Sequence, residues 1–530
     1  MERMEPTPPA DDTAAPPTDR VATPRTRAPA VPGRAAAPPT DDVAARADAY
    51  AAAPLLNCLV REVARRCPDA GGRQVYRLPG GGRLLRVRGG RRPAGPEVFA
   101  AGRWQRVGHA ELVKLAADEL RRHTGVTNDE LPAEMIDSRE AVAALLAARD
   151  RATPPEDLYT RSEQSLVTGH PYHPAPKARG GGPVTSWLPY APEAYARFPL
   201  ELLAVRADQA VEEGDTSALD ALGQAPPGYR LLPAHPWQLG LVGGGLAEAF
   251  ADGRLLRLGT TAWDVRPTAA VRTVHAPDAD LFLKFSLDVR ITNDVRRLWR
   301  HDLLRLRRTD AAATAALAAA GGPAAWLSDR GYRTAAFAFE ELAVVVRDGT
   351  GRHLLPGATP LLAAALAEGF CGNPLDGPLD PAVWWGAYLR QVVPPALTAF
   401  ARHGVVLEAH LQNSLVAVDV RGLPVQALFR DAEGVKLLSD VDRAAGWERL
   451  VYCLVVNHLT EIAAALAERR PGFDPWPAVR GELARHDLPE IPALLSAPTL
   501  PGKTNLLLRW TGADGADARY RPLPNPLAGG

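Results

Sequence analysis

RLLRLGTTAWDVRPTAAVRTVHAP, residues 254–277, followed by LFLKFSLDVRIT, residues 281–292, decides the fold class. Short β-rich runs of apolar and β-branched residues are broken by Gly, Pro, Asp and Thr, which predicts strands joined by turns. Upstream, YRLLPAHPWQ at 229–238 reads the same way. Directly downstream, NDVRRLWRHDLLRLRR at 293–308 predicts a charged helix. Further out, helical periodicity dominates both ends. DDVAARADAYAAAPLLNCLVREVARR at 41–66 carries apolar residues at three-to-four spacing behind aspartates. GRLLRVRGG at 82–90 is a short strand, and helices are expected near 108–123, 138–150, 382–403 and 444–486. VVLEAHLQNSLVAVDVRGLPVQALFRDAEG at 405–434 reads as hairpin-like. The class expected is α+β, with helix-rich ends around β-rich stretches. Neither βαβ alternation nor G-x-G-x-x-G is present to support a Rossmann or P-loop fold.

The chain has 530 residues, with 61 basic and 61 acidic side chains. No overall field favours nucleic acid or an anionic membrane, so neither partner is expected. Four cysteines without C-x-x-C spacing suit a reducing cytosol, and the acidic, Pro-rich start MERMEPTPPADD has no apolar signal core. The expected location is cytoplasmic. Residues 1–40, rich in Pro, Ala, Thr and Asp, read as a disordered tail. Lysine is scarce: only Lys114, Lys177, Lys284, Lys436 and Lys503 occur among the 61 basic residues. A lysine retained against that bias hints that a compact ammonium is wanted.

Four segments concentrate chemistry. GHPYHPAPKARG at 169–180 holds His170, His173, Lys177 and Arg179 on a backbone that prolines keep out of a helix, able to present donors to an anion. Its two histidines lack the usual zinc partners. LPAHPWQ at 232–238 places His235 where a satisfied core histidine is the plainer reading. The 267–297 segment brings Arg272, Lys284, Thr292, Asn293 and Arg296 to a strand–helix junction, where first-turn N–H groups suit an anion. EAHLQN at 408–413, read as a strand, puts Glu408, His410 and Gln412 on one face, with Asn413 next and Asp431 returning nearby. That is a constellation suited to Mg²⁺ and phosphate. Lys503 and Arg509 flank TNLLL near the C-terminus.

Together these motifs resemble the NRPS-independent siderophore synthetases, the IucA/IucC family of aerobactin-type ligases, from LLNCLVRE near residue 55 to KTNLLLR near 509. The resemblance implies a cupped hand: a thumb over 41–160, fingers built on antiparallel sheet over 161–350 and a mainly helical palm over 351–530. It implies a Mg²⁺- and ATP-dependent reaction in which a carboxylate such as citrate is adenylated and captured by an amine or hydroxylamine. His173, Lys284, Arg296 and His410 would be the catalytic contacts, and His170, Lys177, Arg272, Thr292, Glu408, Asn413 and Asp431 would serve ATP. Arg296, His410, Lys503 and Arg509 would bind the carboxylate, and Glu408 and Asp431 the metal. Homodimers are common among such relatives, so a homodimer is expected. One departure stands out: Ala270 occupies a position where the family commonly has serine. The competing expectations are a kinase, suggested by the order His410, Asn413, Asp431, and a decayed synthetase that only binds citrate or a siderophore.

Overall fold

In the computed structural model of the chain, residues 41–68, 73–513 and 520–528 are described. The tail expected over 1–40 lies outside the described residues.

The first helix runs Asp41–Glu62 and buries Leu55, Leu56 and Leu59. Together with helices His109–Thr124 and Glu130–Arg149, it shares a core with a five-stranded antiparallel sheet formed between Arg65 and Arg106. Only the strand Leu84–Arg88 was legible in advance. Its neighbours, such as QVYR and RWQR, are too short and arginine-rich to alternate clearly. The same core closes on Leu506 and Trp510, so the C-terminal TNLLL helix (Asn505–Thr511) packs against the first helix.

The middle of the chain forms a three-stranded sheet and a six-stranded antiparallel sheet that share a core including Leu203, Leu232, Leu283 and Val344. In the larger sheet, strand Leu281–Phe285 is buried along its whole length and is paired on both sides, with Lys284 opposite Thr273 and Val345. The charged helix begins at Arg300, not Asn293. Between them Leu287–Ile291 folds back on Asp294–Arg296 as a tight hairpin, with Ile291 opposite Asp294. Thr292 makes that turn at φ 64°, a conformation a β-branched residue rarely adopts.

A four-stranded sheet, antiparallel except for the pair Ala325–Leu327 with Pro424–Arg430, is backed by helix Pro381–His403. This helix is delimited as its sequence dictates. The Asp380 carboxylate accepts from Ala382 N and Val383 N, Pro381 opens the first turn, and Gly404 at φ 63° ends it. The chain then enters the EAHLQN segment. Arg443–Arg469 is long and apolar enough to cross a membrane, but 72% of its apolar window is buried inside the protein, as for a core helix. Its middle, Val451–Leu459, is π-helical. The mixture of helix with largely antiparallel sheet matches the α+β class expected.

Candidate active site

The motif segments converge through their histidines and asparagines. Asn505 of TNLLL donates to Tyr172 O at 2.7 Å and accepts from Asn293 Nδ2 at 3.1 Å, tying the C-terminal helix to the 169–180 loop and to the hairpin turn. Glu62 anchors the same helix by accepting from Asn505 N, Leu506 N and Leu507 N. Burial raises the Glu62 carboxyl to about 7 despite those three donors.

His170, His173 and His410 share one local device: Nδ1 accepts a backbone N–H two residues on, at 3.1, 3.1 and 3.2 Å. That bond assigns the proton of the neutral ring to Nε2, which is left as a donor. His235 uses the same device toward Trp237 N but is buried among Tyr190, Phe198 and Phe285, in keeping with a core histidine. His170 is solvent-exposed. The packing around it, then His410, Arg61, Lys503 and Arg296, holds its imidazole below the usual histidine range. His173 is buried, and its ring lies against Asn293.

The EAHLQN segment is a turn, not a strand: Asn413 N donates to His410 O, and His410 Nδ1 takes the Gln412 and Asn413 amides. Side-chain capture of the local backbone competes with a strand ladder. Glu408, His410 and Gln412 therefore do not share a strand face; Gln412 is exposed while its carbonyl accepts from Arg430. Behind the turn, buried His458 meets Ala409 O through Nδ1 at 2.8 Å and the Tyr388 hydroxyl through Nε2 at 2.5 Å. This histidine lies in the π-helical stretch, a distortion that often marks functional regions.

Cations on one side of the site are matched by carboxylates. Lys284 Nζ lies 2.5 Å from Asp431 Oδ1 and 2.7 Å from Glu433 Oε2. Arg272 donates to the carbonyls of Arg296 and Arg297 and to Glu433 Oε2 at 3.3 Å. Arg347 joins Asp329 to Asp431. Burial opposes ionisation of Asp431 and Glu433, yet Lys284 with Arg347 or Arg272 holds both below the usual carboxylate range. Asp431 adopts φ 86°, so two of the five non-glycine residues at positive φ among the described residues, Thr292 and Asp431, lie in this site. Glu408 accepts from Arg449 at 2.6 Å and from Asn413 at 3.3 Å.

Arg296 donates to Ile291 O at 2.7 Å and to the Thr292 hydroxyl, bracing the strained turn. The expected helix N-terminus is absent here, because the hairpin takes these residues instead. Lys177 and Arg509 are engaged elsewhere. Lys177 and Arg179 share buried Glu193, and Arg509 pairs with Glu134 at 2.5 Å. Ala270 sits in a turn in which Thr268 Oγ1 bonds both its N and its O at 3.3 Å. The structure adds residues that motif reading passed over: Glu433, Arg347, Arg449, His458 and Arg61. Arginine is common in this chain, so type alone could not single these out; Glu433, in the same DAEG stretch as Asp431, was the accessible signal.

The carboxylates available to a cation among the expected residues are Glu408, which Asn413 Nδ2 meets at 3.3 Å, and Asp431, which Lys284 and Arg347 already engage. Gly434 lets the backbone approach Glu408, since a Cβ there would stand 2.0 Å from Glu408 Oε2. Among the described residues no three His, Cys, Asp or Glu side chains cluster as a complete metal cage. An oxygen-only set of one or two carboxylates fits Mg²⁺, which takes its remaining ligands from phosphate and water.

Fold and site together define an α+β protein in which His170, His410, Arg296 and Lys503 gather near the ion-paired Lys284, Asp431 and Glu433. The IucA / IucC family profile matches residues 158–368, and a profile described as ferric iron reductase FhuF-like transporter matches 382–518. Over residues 158–368 the chain therefore resembles the IucA/IucC family. It is 28% identical over 443 residues to L-2,3-diaminopropanoate–citrate ligase of Staphylococcus aureus (70% of this chain, 75% of the relative). It is also 28% identical to the rhizobactin siderophore biosynthesis protein RhbC of Rhizobium meliloti (70% and 76%). Among solved structures, ATP-bound aerobactin synthetase IucA of Klebsiella pneumoniae superposes with TM-score 0.77 at 22% identity, covering 90% of this chain and 99% of that one. Petrobactin biosynthesis protein AsbB of Bacillus anthracis gives 0.76 at 18% identity (92% and 96%).

Proposed function

We propose that this chain is a siderophore synthetase that uses ATP to adenylate citrate or a related carboxylate and passes the acyl group to an amine or hydroxylamine. The observation that carries the reading is the convergence of Arg296, Lys503, His170 and His410 beside the Lys284–Asp431–Glu433 cluster. Citrate-ligating relatives over about 70% of the chain support it.

The reaction joins two anions, so charge compensation outweighs any covalent nucleophile. A carboxylate oxygen attacks the α-phosphorus, the bond to the β-phosphate oxygen breaks, and pyrophosphate leaves with the electron pair. An amine nitrogen then attacks the acyl carbon, releasing AMP and a proton. In this scheme Lys284 and Arg272, positioned by Asp431 and Glu433, face the phosphates. The Nε2–H groups of His410 and His170 donate to the oxygens on which charge builds. Arg296 grips the reacting carboxylate, which a guanidinium matches in shape. Glu408 and Asp431, with Asn413, would hold Mg²⁺, which supplies charge neutralisation on the phosphates. Pairing as a homodimer belongs to the same proposal.

The test is product analysis with ATP, Mg²⁺, hydroxylamine and a panel of citrate, succinate and α-ketoglutarate. Acid-dependent pyrophosphate and AMP are expected. ADP would replace this reading with phosphotransfer, and acid binding without nucleotide turnover would leave a binding protein.

A further inference from the structure

One buried ion pair joins segments on which the site depends. Glu163 closes the short helix Leu158–Glu163, just ahead of the GHPYHP loop. Its carboxylate meets the Arg430 guanidinium through two bonds, Nη1 to Oε1 at 2.6 Å and Nη2 to Oε2 at 3.2 Å, and both residues are buried. Glu163 also accepts from Ala269 N and from the Tyr159 hydroxyl, each at 3.0 Å. Arg430 also donates to Gln412 O, at 3.2 Å from Nε and 2.9 Å from Nη2, and its backbone N–H reaches Asn413 O at 3.1 Å. Gln164, the next residue after Glu163, donates to Pro267 O at 3.1 Å.

Such a pair is a weak source of net stability, because taking both charges out of water costs about as much as their attraction returns. What it does fix is geometry, since a guanidinium fork meets a carboxylate in one plane. Here that plane ends on the Ala269 amide at one side and the Gln412 carbonyl at the other. Ala269 leads into the turn that carries Arg272, closed by Thr273 N donating to Ala270 O at 2.7 Å. Gln412 lies in the turn that sets His410, whose Nδ1 takes the Gln412 amide. Asp431, which follows Arg430, holds Lys284. A shift of the Glu163 carboxylate therefore moves the His410 turn against the Arg272 turn. Neither His410 nor Arg272 is itself touched.

We propose that Glu163 is a positioning residue: through Arg430 it holds the His410 turn in register with the Arg272 turn, so that donors on two segments act on one phosphorus together. Its part in turnover rests on the synthetase reading; the coupling of the two turns does not. The test compares Glu163→Gln with the double variant Glu163→Gln/Arg430→Met, which leaves no unpaired buried charge and so guards against misfolding. Both are read by pyrophosphate release, with Glu163→Gln also placed in a His410→Ala background, and by amide hydrogen exchange. In both variants kcat is expected to fall roughly 10- to 100-fold, as for a small misplacement of reacting groups, with KM for ATP and acid changing far less. The double variant regains the wild-type melting temperature without regaining the rate. Without the His410 side chain, Glu163→Gln costs much less, because residues that act through one another are not additive. Amides of 268–273 and 409–413 exchange faster together, while those of helix Pro381–His403 do not. An equal cost in both backgrounds overturns the proposal, as does unchanged exchange in either turn or a rate that returns with the melting temperature. Coupled exchange in a protein whose wild type releases no pyrophosphate would sink the synthetase reading while sustaining the coupling.

Discussion

The two sides of the site handle positive charge in opposite ways. On one, Lys284, Arg272 and Arg347 are each matched to Asp431, Glu433 or Asp329 at 2.5–3.3 Å. On the other, Arg61 Nε and Nη2 have no hydrogen-bond partner among the described residues, and Arg296 is held by a carbonyl and a hydroxyl. A matched side is pre-organised: its cations hold their positions before any ligand arrives. An unmatched side stores its attraction for the ligand, because the first anion to enter supplies the missing acceptor. Nucleotide and metal suit the first arrangement and an exchangeable acid the second.

Removing the ammonium that joins two carboxylates should give the largest effect. Lys284→Met is expected to lower pyrophosphate release roughly 100- to 1,000-fold, the range for losing one preorganised charge-stabilising donor. It also leaves Asp431 and Glu433 facing each other, which should lower stability by about 3 kcal/mol, read as a drop in melting temperature. The pH dependence separates charge loss from misfolding. Asp431 and Glu433 are held below their ordinary range. They therefore stabilise the fold above that range, and this contribution fades as pH falls below about 4.5 toward the folded values. Without Lys284 both carboxyls move upward, so the melting temperature should fall less between pH 6 and pH 4 in the variant than in the wild type. An equal or steeper fall in the variant would mean that Lys284 does not hold these groups ionised.

On the matched side Lys284, one of five lysines, and Asp431, in a motif, were legible in the sequence, whereas Glu433 and Arg347 were not. The unmatched side was only half legible. Lys503 stood out by the same scarcity, whereas Arg61 is one arginine among many on an ordinary amphipathic helix, and its meaning comes from the absence of an acceptor in three dimensions. The helix expected near 382–403 was read well, since helical periodicity is local, and the structure adds its caps at Asp380 and Gly404. The misreadings were both turns. Thr292 takes a left-handed conformation that its residue type disfavours, and His410 folds EAHLQN through a side-chain bond to its own backbone. Neither has a periodic signature.

A smaller effect is expected where the two sides meet. His458 touches no cleft group; it holds the Ala409 carbonyl between Glu408 and His410. Burial lowers its imidazole to about 4, so it stays neutral at working pH. His458→Gln should lower the rate about 10-fold, consistent with one hydrogen bond of about 1 kcal/mol and some misalignment. KM for ATP and for the acid should change less than kcat. A shift confined to either KM would place His458 with one side rather than behind both.

The finest distinction concerns Ala270. It precedes Arg272 by two residues, so it borders the matched side, and its backbone is already fastened through Thr268 Oγ1. Ala270→Ser adds one hydroxyl without disturbing a charge. If that side receives phosphate, the hydroxyl offers one further donor, worth about 0.5–1.5 kcal/mol. KM for ATP should then fall by roughly 2- to 10-fold, while KM for citrate stays constant, as initial rates of pyrophosphate release would show. A lower KM for citrate with ATP unmoved would reverse the assignment of the two sides. The hydroxyl would then be reading the acid, and the carboxylate-matched cations would have to be assigned to the acid with it.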